Sequence, residues 1–551
     1  MDCFERRESE GIHPLSSDYL LVAVALTVIT FAGLAIRIHQ LAARSLWFDE
    51  AFTWRLIDFP FAEMLQRVGR DTHPPLYFIL LQGWAALFGE SAFALRSLSV
   101  FFGGLTILGA YLFAVEAFGR DYPTAQTNSD LLWRGRGIGL FAATLVALSA
   151  FQIRYSQELR MYSLAAALAL FSSWALFRAL GTPSRQHRWL LYGLFALLLA
   201  YTHYYGLFTL AAQVIFVAVI LLVRAGWNMS HVLRDPALRH ALIGAVLAIA
   251  GWLPWLPVFL HQRAQVQANF CVFPITRWTD VAEVCYNMFA MREYLDEPSQ
   301  KEQLLALGFC VLVLLLLLRK ARAAEWYVLV SAVTPFLCCV ALSAPFTLRY
   351  LIMAHLFLLV GLAALIWRVP FQLERGIIFA MTLMIFVGLY VDYCYDLDAS
   401  HRPGARGAAA FLDRHRRPGE PVIVCMPFFF FPLLHYAPRR AGYYLYSDGR
   451  PMPTYYGIVA MTPEDLISDE QLQALPSRRV WVVDMAASFI GVHFVPVPPH
   501  WVEKSRHTFS EVGQLGDAIV VEYETGPPLK KTPRPVSYDS KASIRRPTCL
   551  S

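Results

Sequence analysis

Pro74-Pro75-Leu76-Tyr77-Phe78-Ile79-Leu80-Leu81-Gln82-Gly83-Trp84-Ala85-Ala86-Leu87-Phe88 is apolar almost throughout but short. A helix that crosses a bilayer needs about 20 such residues. Whether this stretch crosses decides the fold, because every loop after it changes sides with it. Arg and Lys concentrate in short cytoplasmic loops. If the stretch stays outside and the second span is Leu95–Phe118, the basic loops Arg120–Arg136, Arg178–Arg188, Arg224–Arg239, Arg319–Arg322 and Arg368–Arg375 all fall inside. If it crosses, all of them fall outside. The stretch therefore reads as a helix that does not cross.

Working outward, the expected spans cover residues 19–38, 95–118, 137–153, 161–180, 189–203, 205–223, 241–260, 304–318, 326–344, 350–367 and 376–392. This is a polytopic α-helical membrane protein with about 11 transmembrane helices. Its N-terminus is expected in the cytoplasm and its C-terminal domain outside the plasma (inner) membrane. Composition agrees: 57% of the 551 residues are hydrophobic and only 16% charged, where soluble proteins carry roughly a quarter charged. The net charge of +6 is spread over loops and tail, which indicates orientation rather than a nucleic-acid partner. Nine cysteines form no Cys-x-x-Cys pair, and no zinc spacing is present.

The membrane domain is expected over residues 1–392, with outer loops at 41–94 and 154–160. Residues 393–525 read as an extracytoplasmic α/β domain, with a helix at Gly404–Arg417 and strands at Pro421–Cys425, Arg479–Asp484 and Ala518–Glu522. Residues 526–551, rich in Pro, Ser, Lys and Arg, read as a disordered basic tail. Tyr201-Thr202-His203-Tyr204-Tyr205-Gly206 reads as a tight outer turn whose aromatics suit an interfacial belt.

On this topology one face collects ionisable groups at the mouths of membrane helices. Asp49 and Glu50 follow the first span, Asp71-Thr72-His73 precedes the short apolar stretch, Arg96 opens the second span, and Arg154, Glu158, Arg160 and Tyr162 surround the second outer turn. Arg349-Tyr350 lies at another outer mouth. Such groups are functional candidates, usually with a partner. Each also has a structural reading: Glu158 can pair with Arg154 or Arg160, Arg349 can anchor its helix, and His73 can cap a helix that begins with proline. A carboxylate can take the proton of an acceptor hydroxyl, and an arginine can hold a departing phosphate. A donor carrying a lipid tail would explain why these groups sit at a membrane.

Ser45-Leu46-Trp47-Phe48-Asp49-Glu50-Ala51-Phe52, Asp71-Thr72-His73-Pro74-Pro75-Leu76-Tyr77, Leu87-Phe88-Gly89 with Ala94-Leu95-Arg96, and Tyr155-Ser156-Gln157-Glu158-Leu159-Arg160-Met161-Tyr162 occur in this order. Together they resemble bacterial relatives of the protein O-mannosyltransferases, the family 39-like glycosyltransferases that include the aminoarabinose transferase of lipid A. The resemblance covers residues 20–370 and implies the GT-C glycosyltransferase fold. It further implies a polyprenyl-phosphate-linked sugar donor and a site on the periplasmic face. It makes Asp49 the base and Glu158 the second-loop acid, both catalytic. Glu50, His73, Arg96, Arg154, Arg160, Tyr162, Arg349 and Tyr350 are the substrate-binding candidates. Ala354 and Leu356 stand where relatives often have prolines.

The expectation is an inverting glycosyltransferase acting on a protein, lipid or glycan acceptor, with no cofactor. The two carboxylates leave room for a divalent cation held through oxygen. The alternative is a transporter of lipid-linked or small solutes that couples protons through the same acids. Transporters of that kind often show inverted repeats and helices broken at the midplane; no repeat is visible here, and the acids lie at helix mouths.

Overall fold

A computed structural model describes residues 17–122, 126, 128–269, 277–291, 298–487, 491–512 and 516–526. The first long apolar helix, α1 (Ser17–Ile38), is followed by three helices that stay at one end of the bundle: α2 (Phe48–Ile57), α3 (Phe61–Gly69) and α4 (Leu76–Phe88). α4 has 13 residues, about 20 Å at 1.5 Å per residue. Both of its flanks lie at that same end. Ahead of it, His73 meets Arg160; behind it, Glu90 accepts a hydrogen bond from Trp54 Nε1 at 2.9 Å. The stretch does not cross, as the basic loops require.

The bundle continues with α5 (Ala92–Phe118), α6 (Ser129–Leu148), the short α7 (Ala150–Ser156), α8 (Tyr162–Gly181), α9 (Gln186–Ala200), α10 (Gly206–Arg224) and the short α11 (Met229–Arg234). It is completed by α12 (Pro236–Trp252), α13 (Leu256–Asn269), α14 (Trp278–Ala290), α15 (Gln300–Leu318), α16 (Ala323–Ala341), α17 (Ile352–Trp367) and α18 (Gln372–Asp396). Among the described residues 10 helical segments are long and apolar enough to cross a membrane, α12 and α13 counting as one, Pro236–Gln267. α9, with 15 residues, falls short by length. It nevertheless runs from Arg188, bonded to Arg178 O near the end of α8, to His203, whose ring lies 5.8 Å from that of Tyr162 at the start of α8. It therefore traverses the same bundle, and with it the expected eleven passages are present.

One expected span, 137–153, is not a single helix. α6 stops at Leu148 and α7 restarts under Ser149, whose Oγ accepts from Gln152 N. The break is held by Arg37, fully buried at the end of α1. Its guanidinium donates to Val146 O and Ala147 O, each at 2.9 Å, and to Gly33 O at 3.0 Å. The last carbonyls of a helix have no partner within it and favour a cation. Gly103 of α5 allows the close approach: a Cβ there would lie 2.5 Å from Ser156 Oγ and 3.0 Å from Arg37 Nε.

Beyond α18 the chain forms α19 (Gly404–His415), β1 (Val422–Val424), α20 (Pro427–Tyr436), β2 (Tyr443–Tyr446), β3 (Leu466–Ile467), α21 (Asp469–Gln473), β4 (Arg479–Ala487), β5 (Gly491–His493), β6 (Trp501–Phe509) and β7 (Asp517–Thr525). The strand order is β3-β2-β1-β4-β7-β6, parallel from β3 to β4 and antiparallel through β7 and β6, with β5 folded back on β4. The basic tail expected at the C-terminus lies, past Gly526, outside the described residues.

Asp484 of β4 is 3% exposed and accepts from Val495 N at 2.8 Å, which fixes the return from β5. Burial pushes its carboxyl up to about 6 from an ordinary 3.8, against that N–H and Arg506. A raised value means the folded protein holds the proton more tightly than the unfolded chain. That stabilisation is complete below the ordinary value and is lost as pH rises through about 6, on the order of 3 kcal/mol in all. Asp484→Asn keeps an acceptor for Val495 N and does not titrate. Relative to that variant, the wild-type unfolding temperature is expected to fall between about pH 4 and 7. Parallel profiles for the two proteins would refute the assignment.

The C-terminal domain is seated directly on loop 1. Phe428 and Phe431 of α20 pack on Phe48, with ring centroids 4.8 and 6.0 Å apart, and Tyr436 Oη accepts from Leu46 N at 2.9 Å. Arg406 of α19 donates to Ala42 O and Ala43 O at 2.8 and 2.7 Å. One face of α2 is thus fixed by the sheet domain, while another, which carries Glu50, meets the bundle.

Candidate active site

Asp49 and Glu50 are neighbours in the first turn of α2, where carboxylates favour the helix N-terminus. Successive helical residues point about 100° apart, so the two side chains part company. Glu50 turns inward and is 1% exposed. Its Oε1 accepts from Arg96 Nε at 2.7 Å and from Leu159 N at 2.8 Å; its Oε2 accepts from Arg96 Nη2 at 2.5 Å and from Trp47 N at 3.3 Å. Burial alone would push this carboxyl up, but Arg96 and the Leu159 N–H hold it below its ordinary value. Arg96, 2% exposed, spends its remaining donors on Leu41 O, Arg44 O and Ser45 O. Glu50 and Arg96 bind each other and the loop backbone. The reason is that an arginine on α5 faces the inward side of α2.

Asp49 turns the other way. Its Oδ2 lies 3.4 Å from Arg349 Nη1, with the two side chains 19% and 32% exposed. The Arg349 guanidinium also lies 5.7 Å from the centre of the Trp47 ring and 5.8 Å from that of Tyr350. The backbone beneath Asp49 is fastened separately. Thr53 Oγ1, one turn on, donates to Asp49 O at 2.7 Å, and Arg160 Nη1 donates to Thr53 Oγ1 at 2.8 Å.

Arg160 is aimed in turn by His73, whose Nε2 lies 3.3 Å from Arg160 Nη2. His73 Nδ1 faces Asp71 Oδ2 at 3.2 Å and Thr72 Oγ1 at 3.0 Å. Burial and the Arg160 charge keep this imidazole below its ordinary pKa, against the pull of Asp71. A neutral ring with its proton on Nδ1 satisfies both neighbours: it donates to Asp71 and accepts from Arg160. Asp71 stands in the Asp71–Tyr77 stretch but is not among the candidate site residues, and Thr53, four residues after Asp49, carries no signal of its own.

The second loop lies against the first. Leu159 N bonds Glu50, Arg160 bonds Thr53, and Gln157 Nε2 donates to Arg37 O and His39 O, each at 3.1 Å. Glu158 is 2% exposed between them. Burial pushes its carboxyl up, opposed chiefly by Arg154, while Arg349 and Asp49 also act on it electrostatically. Asp49 and Glu158 therefore belong to one cluster at one end of the bundle, together with Arg154, Arg160, Tyr162, His73, Arg349 and Tyr350.

A cavity of about 330 Å³ opens beside this cluster. His73, Arg349 and Tyr350 line it, with Phe208, Phe259 and Leu342 supplying apolar wall; Asp49 and Glu158 stand next to it rather than on its lining. His203, Tyr204 and Tyr205 line it too, which corrects their reading as an interfacial belt. The turn after α9 folds inward: the His203 ring lies 6.3 Å from His73 and 5.2 Å from Tyr350. Buried polar atoms around the site with no hydrogen-bond partner among the described residues include Glu158 Oε2, Arg160 Nε, Tyr162 Oη, His203 Nε2, Thr347 Oγ1 and Arg349 Nε. Each such atom costs about 1–3 kcal/mol, and proteins keep clusters of them where a ligand binds. Among the described residues no group of three or more His, Cys, Asp or Glu is placed to hold a metal ion.

No family model and no curated protein matches the sequence. Among solved structures the chain is similar to the crystal structure of ArnT from Cupriavidus metallidurans in the apo state. The TM-score is 0.53 at 13% identity, covering 92% of this chain and 98% of that one. It is similar also to ArnT from the same organism bound to undecaprenyl phosphate, with TM-score 0.51, 12% identity and the same coverage. Since the likeness extends over nearly the whole of both chains, loop helices and sheet domain included, this chain is a multi-pass membrane protein of the GT-C fold.

Proposed function

We propose that the chain is an inverting glycosyltransferase that moves a sugar from a polyprenyl-phosphate donor to an acceptor hydroxyl. The observation that carries this reading is the Asp49–Arg349 pair at the edge of a cavity with apolar walls. In this reading Asp49 takes the hydroxyl proton, and the acceptor oxygen attacks the anomeric carbon. The bond from that carbon to the phosphate oxygen breaks, and polyprenyl phosphate leaves with the bonding electrons. Arg349 holds the phosphate, as a planar guanidinium suits its oxygens. Arg349 cannot serve Asp49 and the phosphate equally, so donor binding draws it from the carboxylate and leaves Asp49 free to act as a base. Glu158 orients the reactants from beneath; Arg160, positioned by His73 and Asp71, fixes the backbone of Asp49. Arg154 balances Glu158, and Tyr162 and Tyr350 border the sugar. Glu50 and Arg96 shape α2 without touching substrate.

No step of this reading uses a metal. The similar structure that holds undecaprenyl phosphate supports a lipid-phosphate donor. The distribution of Arg and Lys supports a plasma-membrane protein with its N-terminus in the cytoplasm and the site on the extracytoplasmic face. Purified protein incubated with labelled polyprenyl-phosphate sugars and membrane extracts is expected to move label from at least one donor to an acceptor. Transport of the intact lipid-linked sugar across vesicles, with no cleavage of the sugar–phosphate bond, would overturn the reading.

A further inference from the structure

α13 walls the cavity beside Arg349 through Phe259, Gln262 and Val266, yet little holds it there. It joins α12 through a single 3-10 turn, Leu253–Trp255, and Pro254 and Pro257 at this joint donate no backbone hydrogen bond. Between Gly244 of α12 and Gln267 the described side chains are half-buried or exposed, with one exception: Gln262 is 1% exposed. Glutamine seldom makes the buried contact of an otherwise open helix, since its amide leaves water at a cost unless donors and acceptor are all met.

Here they are met, and on two sides. Gln262 Nε2 donates to Val68 O at 2.8 Å and reaches Gly69 O and His73 O, each at 3.4 Å. Its Oε1 accepts from Tyr204 Oη, which itself accepts from Trp255 Nε1 at 3.0 Å. The amide has one workable orientation, because turned over it would set an oxygen against three carbonyls. Val68 and Gly69 close α3, where the helical carbonyls lack partners of their own, and Asp71 N donates back to Val68 O at 3.1 Å. Gln262 therefore grips both ends of the segment 68–73. That segment carries the two side chains that aim Arg160: Asp71 Oδ2 lies 3.2 Å from His73 Nδ1, and His73 Nε2 lies 3.3 Å from Arg160 Nη2. Arg160 and Thr53 then lead to the carbonyl of Asp49. A continuous chain of polar contacts thus runs from the cavity wall to the backbone of Asp49.

We propose that Gln262 is a positioning residue for Asp49: by holding the His73 segment to α13, it sets the base in register with the cavity beside Arg349. It acts through His73 and Arg160 rather than on the reacting atoms, and the assignment rests on the glycosyl-transfer reading of the site.

The test uses the full-length protein in detergent, read by the rate of sugar transfer and by equilibrium binding of undecaprenyl phosphate. Gln262→Leu removes the tie, so kcat is expected to fall about 10- to 100-fold, the effect of a displaced reacting group. Binding of undecaprenyl phosphate should not change, since Arg349 and the apolar wall are untouched. Because both side chains act on Asp49 by one route, adding Gln262→Leu to His73→Ala should lower kcat no further. Gln262→Glu supplies a rescue with a pH signature. Its protonated carboxyl can donate to Val68 O as the amide does, whereas its carboxylate repels all three carbonyls. Its kcat relative to the wild type is therefore expected to be highest at low pH and to fall as pH rises. Losses that multiply in the double variant, a Gln262→Leu defect confined to donor binding, or a Gln262→Glu ratio flat between about pH 5 and 9 would each overturn the proposal. Hydrogen exchange separates its failure from that of the transferase reading, because it needs no substrate. The amides of Asp71 and Leu76 are bonded to Val68 O and Tyr201 O, each at 3.1 Å, and Gln262→Leu is expected to speed their exchange. If it does so while no labelled donor is ever cleaved, Gln262 keeps its hold on the His73 segment and the transferase reading fails by itself. Unchanged exchange would break the link from Gln262 to His73 and overturn the proposal, whatever the activity.

Discussion

Asp49→Asn is expected to lower sugar transfer by about 100- to 10,000-fold, the usual worth of a general base, in a protein that remains folded. The substitution is nearly isosteric. The backbone of Asp49 is held by Thr53 and Arg160 through its carbonyl oxygen, which the change leaves alone. What it removes is the proton acceptor, together with the negative charge 3.4 Å from Arg349. The second loss has a consequence of its own. A donor phosphate no longer competes with a carboxylate for the guanidinium, so binding of polyprenyl phosphate is expected to be unchanged or tighter. The defect should therefore appear in kcat and not as a raised donor KM. Single-turnover transfer and equilibrium binding of polyprenyl phosphate measure the two separately. Full activity in Asp49→Asn would exclude the base; loss of donor binding would make Asp49 part of the phosphate site instead.

The charge asymmetry of the loops made the bundle legible, because lysine and arginine sort across a bilayer whatever the helices do inside it. That is why the short stretch Leu76–Phe88 could be placed although its hydropathy resembles a span. Where the reading failed, an isolated charge had a partner distant in sequence. Arg37 falls inside the expected span 19–38, yet it lies buried and caps α6 from more than a hundred residues away. Periodicity within 137–153 carries no trace of that contact, so the break at Ser149 was hidden. His203 was hidden for a similar reason: a Tyr-rich turn suits both an interfacial belt and a cavity wall, and only its packing against His73 and Tyr350 decides between them. In the C-terminal domain the strands buried by sequence neighbours, β1, β4 and β7, alternate or run apolar and stand out. β6 sits at an edge, mostly exposed and charged, and gives almost no strand signal. Asp49 and Glu50 were legible as a pair, but their division of labour was not, since it depends on Arg96 approaching from another helix.

That division sets the second large effect, on stability. Arg96→Met leaves Glu50 1% exposed with no ion-pair partner, only the N–H groups of Trp47 and Leu159 and the more distant charge of Arg44. Removing one partner of a buried ion pair costs about 3–5 kcal/mol, and the unfolding temperature in detergent is expected to drop accordingly. Glu50→Gln should cost less, because Arg96 keeps three backbone carbonyls at 2.8–3.1 Å and these satisfy much of its charge. The double variant should be more stable than Arg96→Met alone, since no uncompensated carboxylate remains to be buried. If Arg96→Met unfolds with the wild type, or the double variant is the least stable of the three, the pair does not hold α2 as described. Activity separates this role from substrate binding. In the double variant the recovered stability should not restore transfer, because the first turn of α2, which aims Asp49 at Arg349, is no longer pinned to α5. Its affinity for polyprenyl phosphate, by contrast, should stay near that of the wild type, as neither Glu50 nor Arg96 borders the cavity beside Arg349.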